Sequence, residues 1–379
     1  MSSKKHGSTL ISLFMILALV FALAGCSGDK KETTTEKPTE QSTEQKAEQS
    51  TEQTTEQTTA QTPETTAEQI TEQATEQSAE KATVRIGAMS GPTAMGLVKL
   101  MDDNEKGLSE NSYEFAELST DPSAFVAPLS KGELDIAAVP ANLSSVLYNN
   151  TDGGVCVLAI NNLCVLNIVE RGDSVNNLED LKGKKLYATG QGAVPEYTLR
   201  HLLKQKGIDP DADLELQWCA DTTEALSYIN NDSEAIAMLP QPFVTAALAQ
   251  VEDLRLAIDL NDAWNDLDNG CKQVTGVIVV RKAFAEENPE AVETFLKEYE
   301  ASMNYTADDA DGAAALIEHY GIVAKAPIAK KALPGCHLCF EKGSDMKNSL
   351  EGFLKILYDE NAKSVGGNLP NEDFYYGIK

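Results

Sequence analysis

Histidine is scarce in this chain, and the few that occur form no recognisable catalytic group. Three of the four histidines, His201, His319 and His337, lie beyond the apolar amino-terminal segment. A serine or cysteine nucleophile needs a neighbouring base, most often histidine. No Ser-His-Asp or paired-carboxylate arrangement is recognisable. We therefore expect structural or surface histidines, no catalytic residue and no enzymatic activity.

The only metal-like motif, Cys336-His337-Leu338-Cys339, is incomplete. Structural zinc needs four ligands, and no second pair of closely spaced cysteines follows. Haem attachment needs a histidine directly after the second cysteine, which is also lacking. We expect no metal and no cofactor, and we interpret the motif as a local disulfide or two free thiols. Cys156 and Cys164 lie in apolar runs and should be buried.

Basic residues are few compared with acidic ones. The chain has 31 Lys and Arg against 59 Asp and Glu, a net charge of −28. The amino-terminal segment contributes +2 and the following polar segment −8, which leaves −22 on residues 83–379. A charge of this sign excludes nucleic acid and anionic lipid as expected partners.

The amino terminus predicts export and a lipid anchor. Lys4 and Lys5 precede an apolar run from Leu10 to Leu23, which is typical of a secretory signal and too short for a lasting membrane span. The sequence Leu23-Ala24-Gly25-Cys26 resembles a bacterial lipobox. We expect residues 1–25 to be removed and Cys26 to be acylated, which places the chain outside the cytoplasm on the outer face of the cell membrane. An ordinary cleaved signal is the alternative.

Residues 26–82 are predicted to form a disordered tether. From about Asp29 to Ala82 the composition is almost only Thr, Glu, Gln, Ser and Ala, and Glu recurs every fourth residue from Glu40 to Glu80 except at Ala60. A helix would place like charges at i,i+4, and the segment has little apolar surface to bury. Two roles fit this segment. It could be a spacer that holds the folded part away from the membrane, or a linker with no required length.

Short apolar runs that end in small-residue turns recur along the rest of the chain. The run Leu134–Val139 predicts a buried strand, and Pro140-Ala141-Asn142 then leads into a helix. Such turns place free N–H groups at the carboxyl edge of a sheet, where open α/β sheets bind ligands. Three similar turns are Ser90-Gly91-Pro92-Thr93, Gly190-Gln191-Gly192-Ala193 and Leu239-Pro240-Gln241-Pro242.

The order of these units predicts an α/β protein with two lobes and a ligand cleft between them. Each lobe should be a mostly parallel sheet with helices on both faces. Lobe 1 should contain residues 83–168 and 273–379, and lobe 2 residues 169–272, with crossings near 165–171 and 270–277. Two further apolar runs, Val155–Ile160 and Leu163–Val169, are separated by Asn161-Asn162. The crossings could act as a hinge.

Three motifs carry a resemblance to a known family over about residues 83–375. They are Lys131-Gly132-Glu133-Leu134-Asp135-Ile136-Ala137, Leu178-Glu179-Asp180-Leu181-Lys182-Gly183-Lys184-Lys185 and Glu286-Glu287-Asn288-Pro289-Glu290-Ala291-Val292. The chain resembles the type II periplasmic binding proteins, and within them the nitrate, sulfonate and taurine substrate-binding lipoproteins of ABC importers, a group that includes thiamine-precursor binders. The resemblance implies a solute handed to a membrane permease powered by a separate ATPase.

Mapped onto this sequence, the resemblance implies ligand contacts from four loops. The residues are Ser90, Gly91, Pro92, Thr93, Met95, Pro140, Ala141, Asn142, Gly190, Gln191, Gly192, Ala193, Gln241 and Pro242. Asn142 could equally cap a helix, and Met95 fits a core position better. No Arg or Lys falls in these loops, which favours a neutral or cationic solute. Heterocycles could stack on Trp218, Tyr197 or Trp264.

Two other functions remain open. Pyrimidine-precursor synthases of thiamine biosynthesis share this fold, but they are cytosolic and need a cofactor lysine and a cysteine-rich segment, which Cys336-His337-Leu338-Cys339 resembles only loosely. A surface sensor or interaction lipoprotein could also keep the fold without transport. The export signal favours binding over the enzyme.

Overall fold

The computed structural model describes residues 81–378. The predicted signal, the acylated Cys26 and the tether up to residue 80 lie outside this range. Within residues 81–378 no helix has both the length and the hydrophobicity needed to cross a membrane.

Eleven strands form two separate sheets in the described part of the chain. The first sheet contains β1 (Thr83–Ala88), β2 (Ser112–Phe115), β3 (Ile136–Pro140), β4 (Val155–Leu163), β10 (Val274–Arg281) and β11 (Leu338–Glu341). The second contains β5 (Leu166–Arg171), β6 (Lys185–Ala188), β7 (Glu215–Trp218), β8 (Ile236–Pro240) and β9 (Leu254–Asp259). We call each sheet with its helices lobe 1 and lobe 2, respectively.

Most strands of each sheet share one direction. The order in lobe 1 is β11-β4-β10-β3-β1-β2, where β1 to β4 run one way and β10 and β11 the other. The order in lobe 2 is β7-β6-β8-β5-β9, where only β5 is reversed. The reversed strands β5 and β10 are those that receive the chain from the other lobe. The predicted α/β class with two mostly parallel sheets is confirmed.

Thirteen α-helices connect and cover these strands in residues 81–378. They are α1 (Pro92–Met95), α2 (Val98–Glu105), α3 (Val126–Lys131), α4 (Ala141–Asn150), α5 (Val194–Gln205), α6 (Thr222–Asn231), α7 (Phe243–Gln250), α8 (Leu260–Asn265), α9 (Lys282–Glu287), α10 (Pro289–Asp308), α11 (Ala310–His319), α12 (Ala326–Ala332) and α13 (Gly343–Glu360). Short 3₁₀ turns occur at Pro122–Phe125, Leu178–Leu181, Leu333–Cys336, Ala362–Val365 and Glu372–Phe374.

Local sequence signals explain where several helices begin and end. Proline stands in the first turn of α1, α5 and α10, where its missing N–H costs nothing. The Asp221 carboxylate caps α6 by accepting a hydrogen bond from the Glu224 N–H at 2.9 Å. Gly132 ends α3 at φ 72°, the left-handed conformation that favours glycine.

The core of lobe 1 lies on both faces of its sheet, and one part of it continues into lobe 2. Helix α13 packs against α4 of lobe 1 and α5 of lobe 2. Phe353 on α13 meets Trp264 on α8 edge to face, with ring centroids 5.6 Å apart, and both side chains are fully buried. The two lobes therefore share apolar packing.

The asparagine pair at residues 161–162 lies inside a strand. Strand β4 runs without interruption through both asparagines to Leu163. Gly276 pairs with Asn162 and Val277 with Ile160, so Asn161 is an extra residue in a β-bulge. Because of the bulge, both asparagines remain within the hydrogen-bonded strand, although asparagine has a low β-propensity.

The chain passes between the lobes at two places. Only Cys164 and Val165 separate β4 from β5, and residues 266–273 join α8 to β10. Because β5 begins at Leu166, the second sheet starts slightly before the predicted boundary at 169. The division into lobes with these boundaries, and its use as a hinge, remains a proposal.

Candidate functional site

The ends of most strands in both lobes face the region where the chain crosses. Strand β4 ends at Leu163, and β5 begins only three positions later, at Leu166. In the ladder Leu166 lies beside Pro240, the last residue of β8. Strands that share the direction of β4 and β8 therefore end at this interlobe edge. Carboxyl ends of strands in open α/β sheets are preferred ligand sites.

The two predicted loops of lobe 1 lie side by side at this edge. The Met89 N–H donates to the Ala138 carbonyl of β3 at 2.9 Å, which ties the end of β1 to β3. Gly276 is the ladder partner of Pro140, and a side chain there would lie 3.1 Å from the Thr93 methyl group. Thr93 and Pro140 thus border the same glycine.

Backbone conformation in the first loop depends on Gly91. Its φ of 107° lies in the left-handed region, where other residues are strained. The Ser90 N–H donates to the Ser119 carbonyl at 2.8 Å, so this donor is used within the protein. Ser90, Gly91 and Pro92 are partly exposed, and Thr93 is buried.

The loop from Gly190 to Ala193 in lobe 2 is open to solvent and held by two glycines. Gly190 and Gly192 have φ values of 83° and 75°. The Gly192 N–H donates to the Glu196 carboxylate at 2.7 Å, and the Ala193 N–H to the Gly190 carbonyl at 3.2 Å. Gln191 is exposed, and its side chain makes no hydrogen bond within residues 81–378, so its amide can contact a solute.

The fourth loop touches lobe 1. Gln241 is only 6% exposed, and its Oε1 accepts hydrogen bonds from the Thr245 hydroxyl at 2.8 Å and N–H at 3.3 Å. A Cβ on Gly335 of lobe 1 would lie 2.9 Å from Gln241 Nε2. Gln241 therefore caps its own helix and packs against lobe 1. Pro242, next to it, is partly exposed.

His337 joins the crossing to both lobes. Its Nδ1 contacts the Cys164 carbonyl, and its Nε2 lies 4.0 Å from the Asp259 carboxylate at the end of β9. Burial raises the pKa of Asp259, while the Asn261 N–H and the nearby His337 act in the opposite direction. The sequence predicts a structural or surface role for His337, and its contacts at the crossing fit the structural one.

Three residues with a predicted or suggested ligand contact make other contacts here. Met95 is fully buried in the core of lobe 1, which is the alternative role that the sequence allowed. The Asn142 amide donates to the Ser364 carbonyl at 3.1 Å. Trp264 is 1% exposed and lies between His201 and Phe353, which leaves no ring face for a solute.

Three buried asparagines at the same edge were not predicted as site residues. Asn161, Asn162 and Asn167 are at most 1% exposed, and the Oδ1 atom of each lacks a hydrogen-bond partner among residues 81–378. The signal that could have found them is an Asn pair within an apolar run, because buried amides are costly unless they are used.

The predicted contact residues themselves bring no cation to the site. None of the fourteen predicted contact residues is Lys or Arg. Among residues 81–378 there is no cluster of three His, Cys, Asp or Glu side chains that could hold a metal ion. Cys336 and Cys339 are free thiols, so the predicted alternative of a local disulfide is not formed. Burial raises the pKa of the Cys336 thiol to about 12.

Two cavities of about 610 Å³ lie elsewhere on the surface. One is at the opposite end of the lobe 2 sheet and is lined by charged residues such as Lys184 and Glu234. The other lies between α7 and α12 and is lined by apolar residues, including Phe243 and Ile328. Only Pro242 of the predicted contacts borders either one. The predicted loops meet at the strand ends beside the crossing, and neither cavity is lined by more than one of these loops. The candidate site is therefore the edge formed by the strand ends.

Comparison with known proteins gives a family and a fold. A family model described as NMT1/THI5 like matches residues 120–313. No protein with a curated description matches the chain.

Solved structures match almost over their whole length. An ABC transporter protein from Parabacteroides distasonis is 21% identical with a TM-score of 0.65, and the match covers 78% of this chain and 99% of that one. The periplasmic aliphatic sulphonate binding protein SsuA from Escherichia coli is 17% identical with a TM-score of 0.62 and coverages of 77% and 96%. The ligand binding component of an ABC-type import system from Staphylococcus aureus is 14% identical with a TM-score of 0.58 and coverages of 78% and 96%. The predicted periplasmic-binding-protein fold is confirmed.

Proposed function

The chain belongs to the NMT1/THI5-like family, and from this premise we propose that it is the substrate-binding protein of an ABC importer. It captures a small solute between its lobes and delivers it to a membrane permease driven by a separate ATPase. The observation that carries the proposal is the meeting of strand ends and helix starts from both sheets at the crossing. The similarity in fold to import components supports it.

Binding without chemistry fits the residues at the site. An enzyme with a cysteine nucleophile needs an accessible thiolate of low pKa. Cys336 is fully buried and its thiol pKa is raised to about 12 by burial, which is the opposite environment. The backbone and amide groups at the loops suit hydrogen bonding to a solute.

The solute that we propose is neutral or cationic. The fourteen predicted contact residues include no Lys or Arg, and the folded part of the chain is strongly acidic. A long-range negative field slows the approach of anions. SsuA of Escherichia coli is named as a sulphonate binder, so sulfonates belong in any test despite this argument.

A lipid anchor on the outer face of the membrane completes the proposal. Cys26 follows an apolar segment and small residues, which is the pattern of an acylated lipoprotein. Metabolic labelling with palmitate should mark the chain, and Cys26→Ser should abolish the label. A labelled Cys26→Ser variant would contradict the anchor without touching the binding proposal.

A thermal-shift panel on the purified full-length chain tests solute binding. The panel contains thiamine precursors and related heterocycles, polyamines, amino acids, sulfonates and nitrate. A ligand at a hundredfold over its Kd should add about 2.7 kcal/mol to the free energy of unfolding. Loss of uptake of the same solute on deletion of the chain would support transport. A panel with no shift, or a bound solute whose uptake is unchanged, would contradict the importer proposal.

A further inference from the structure

The bulge in β4 turns two neighbouring asparagine side chains toward one glycine. In a regular strand, successive side chains point to opposite faces. Here a Cβ placed on Gly276 would lie 2.5 Å from Asn161 Oδ1 and 2.1 Å from Asn162 Oδ1. Both amide oxygens therefore lie in the space that a side chain at residue 276 would occupy. Bulges that re-aim side chains are frequent beside functional sites.

The orientation of each amide is fixed by the protein. Asn161 Nδ2 donates to the Thr93 carbonyl at 2.8 Å, and Asn162 Nδ2 lies 3.4 Å from the Leu163 carbonyl. Because the amino groups face carbonyl oxygens, a flip would set two acceptors against each other. The oxygens are thus the free groups, and each is buried without a hydrogen-bond partner in the part of the chain that the structure describes.

Two more unpartnered polar groups lie close to the crossing. Asn167 on β5 repeats the arrangement in lobe 2, with Nδ2 donating to the Val165 carbonyl at 3.2 Å and Oδ1 free. The Tyr299 hydroxyl lies close enough to Asn161 for the amide to oppose the rise of the tyrosine pKa caused by burial. Even so, neither the Tyr299 hydroxyl oxygen nor Asn161 Oδ1 makes a hydrogen bond of acceptable geometry.

We propose that Asn161 and Asn162, with Asn167 across the crossing, are specificity residues that accept hydrogen bonds from N–H groups of the solute. This inference rests on the importer proposal and names its substrate class. The class is a solute with an amino, ammonium or ring N–H group. Anions such as sulfonate, nitrate or carboxylate bring only acceptor oxygens, which would face the amide oxygens unfavourably.

The unliganded protein gives a test that needs no ligand. An unused buried acceptor destabilises the fold, so its replacement by an apolar group of similar size should be neutral or stabilising. Asn162→Leu also removes the amino group, but this group gives only a long 3.4 Å contact to the Leu163 carbonyl, so the melting temperature should stay unchanged or rise. Asn111→Leu is the matched control, because the Asn111 amide is also buried but donates to the Tyr113 hydroxyl and the Ala291 carbonyl. It should lower the melting temperature.

Calorimetric titration of the full-length chain then tests the ligand class. The probes are 4-aminopyrimidine and putrescine, which carry N–H donors, and ethanesulfonate and nitrate, which carry none. We expect a donor probe to bind and Asn162→Leu to weaken it roughly tenfold, the effect of losing one hydrogen bond. Asn167→Leu should weaken it similarly.

The possible results separate the two proposals. If ethanesulfonate or nitrate binds and Asn162→Leu leaves its affinity unchanged, solute binding stands and the asparagine assignment is overturned. If Asn162→Leu destabilises the unliganded chain as Asn111→Leu does, the oxygen has a structural role and the assignment also fails. If no probe and no compound of the thermal-shift panel binds, both proposals fail.

Discussion

Gly276 of β10 lies directly opposite Asn162 of β4, and no side chain larger than hydrogen fits between them. A Cβ at this glycine would stand 2.1 Å from Asn162 Oδ1, far inside van der Waals contact. The glycine is not needed for backbone conformation, because its φ is not in the left-handed region. Its role is therefore to leave space beside the two amides.

Replacement of Gly276 by alanine tests that role. The added methyl group should displace the Asn161 and Asn162 side chains, because both oxygens lie within 2.5 Å of it. We expect a loss of about 1–3 kcal/mol in the free energy of unfolding, the usual cost of overpacking. Solute affinity should fall by more than tenfold. Urea denaturation and calorimetric titration measure the two effects.

A double-mutant cycle controls for a general effect of the glycine change. In an Asn162→Ala background the nearest clash is gone, so Gly276→Ala should cost less than in the natural chain. Equal costs in both backgrounds would show that the amide is not what the methyl group meets.

Gly190 in the lobe 2 loop gives a second prediction with a closely matched control. Its φ is 83°, and a Cβ would lie 2.6 Å from the Pro195 ring at the start of α5. Gly183 has a similar φ of 75°, but nothing lies within 4 Å of its Cβ position. Both alanine variants should lose about 1 kcal/mol from backbone strain.

Only Gly190→Ala should shift the loop and weaken solute binding, since only its methyl group meets a neighbour. Thermal melts measure the stability of both variants, and calorimetric titrations measure their solute affinity. Equal binding by Gly190→Ala and the natural chain would remove the loop from the proposed site.

Much of the fold could be predicted, because buried strands and helix starts leave local signals. The run Leu134–Val139, predicted as a buried strand, corresponds to β3, which pairs with β10. Proline and Asp221 marked helix starts that the structure contains. These signals depend on residues close in sequence, so no tertiary information was needed.

The polar part of the site could not be predicted in the same way. Two adjacent asparagines between apolar runs give no sign of a shared orientation, since alternation along a strand places neighbouring side chains on opposite faces. Their joint orientation depends on the register between β4 and β10, strands more than a hundred positions apart. Which atom of an asparagine amide is hydrogen-bonded depends on the groups that the fold places beside it. For Asn161 it is the Thr93 carbonyl that accepts from the amino group.

Asp135 is the charged centre of lobe 1 and gives a prediction on stability. Its carboxylate is fully buried and accepts hydrogen bonds from the Arg85 guanidinium at 2.6 and 2.8 Å and from Arg281 at 3.1 Å. Loss of a buried charge partner leaves cations unpaired. We expect Asp135→Asn to lower the free energy of unfolding by about 3 kcal/mol, measured by urea denaturation at pH 7.

The same contact predicts a pH dependence. Burial raises the pKa of Asp135, but the hydrogen bonds from Arg85 and Arg281 outweigh it and hold the pKa below its ordinary value. Stability from this group is therefore present above the unfolded pKa of about 3.9 and lost as the pH falls through the lower folded pKa. Asp135→Asn should flatten the decline in acid. Asp211→Asn, at an exposed partner of Arg200, should change stability by less than about 1 kcal/mol.

Packing between the lobes predicts unequal effects for two phenylalanines. Phe353 is fully buried against Trp264, whereas Phe243 on α7 is 50% exposed. Phe353→Ala should cost about 3–5 kcal/mol through cavity formation. Phe243→Ala should stay within about 0.5 kcal/mol. Denaturation midpoints compare them, and a small loss for Phe353→Ala would mean that the lobes do not depend on this contact.

The cysteines give a prediction on redox state. Cys156, Cys164, Cys336 and Cys339 are free, and burial raises the pKa of each thiol to about 12. Only roughly one such thiol in ten thousand is ionised at pH 8, and the thiolate is the form that reacts. Iodoacetamide should therefore leave these four unlabelled in the native protein.

Unfolding in denaturant without reductant should expose all six cysteines of the folded part to the reagent. Peptide mass spectrometry then locates each label. If Cys336 and Cys339 stayed unlabelled until a reductant was added, the protein would carry the disulfide that the structure lacks. Native labelling of Cys336 at a rate close to that of a free thiol would instead show that the segment before β11 opens, because in the structure this side chain has no exposed surface.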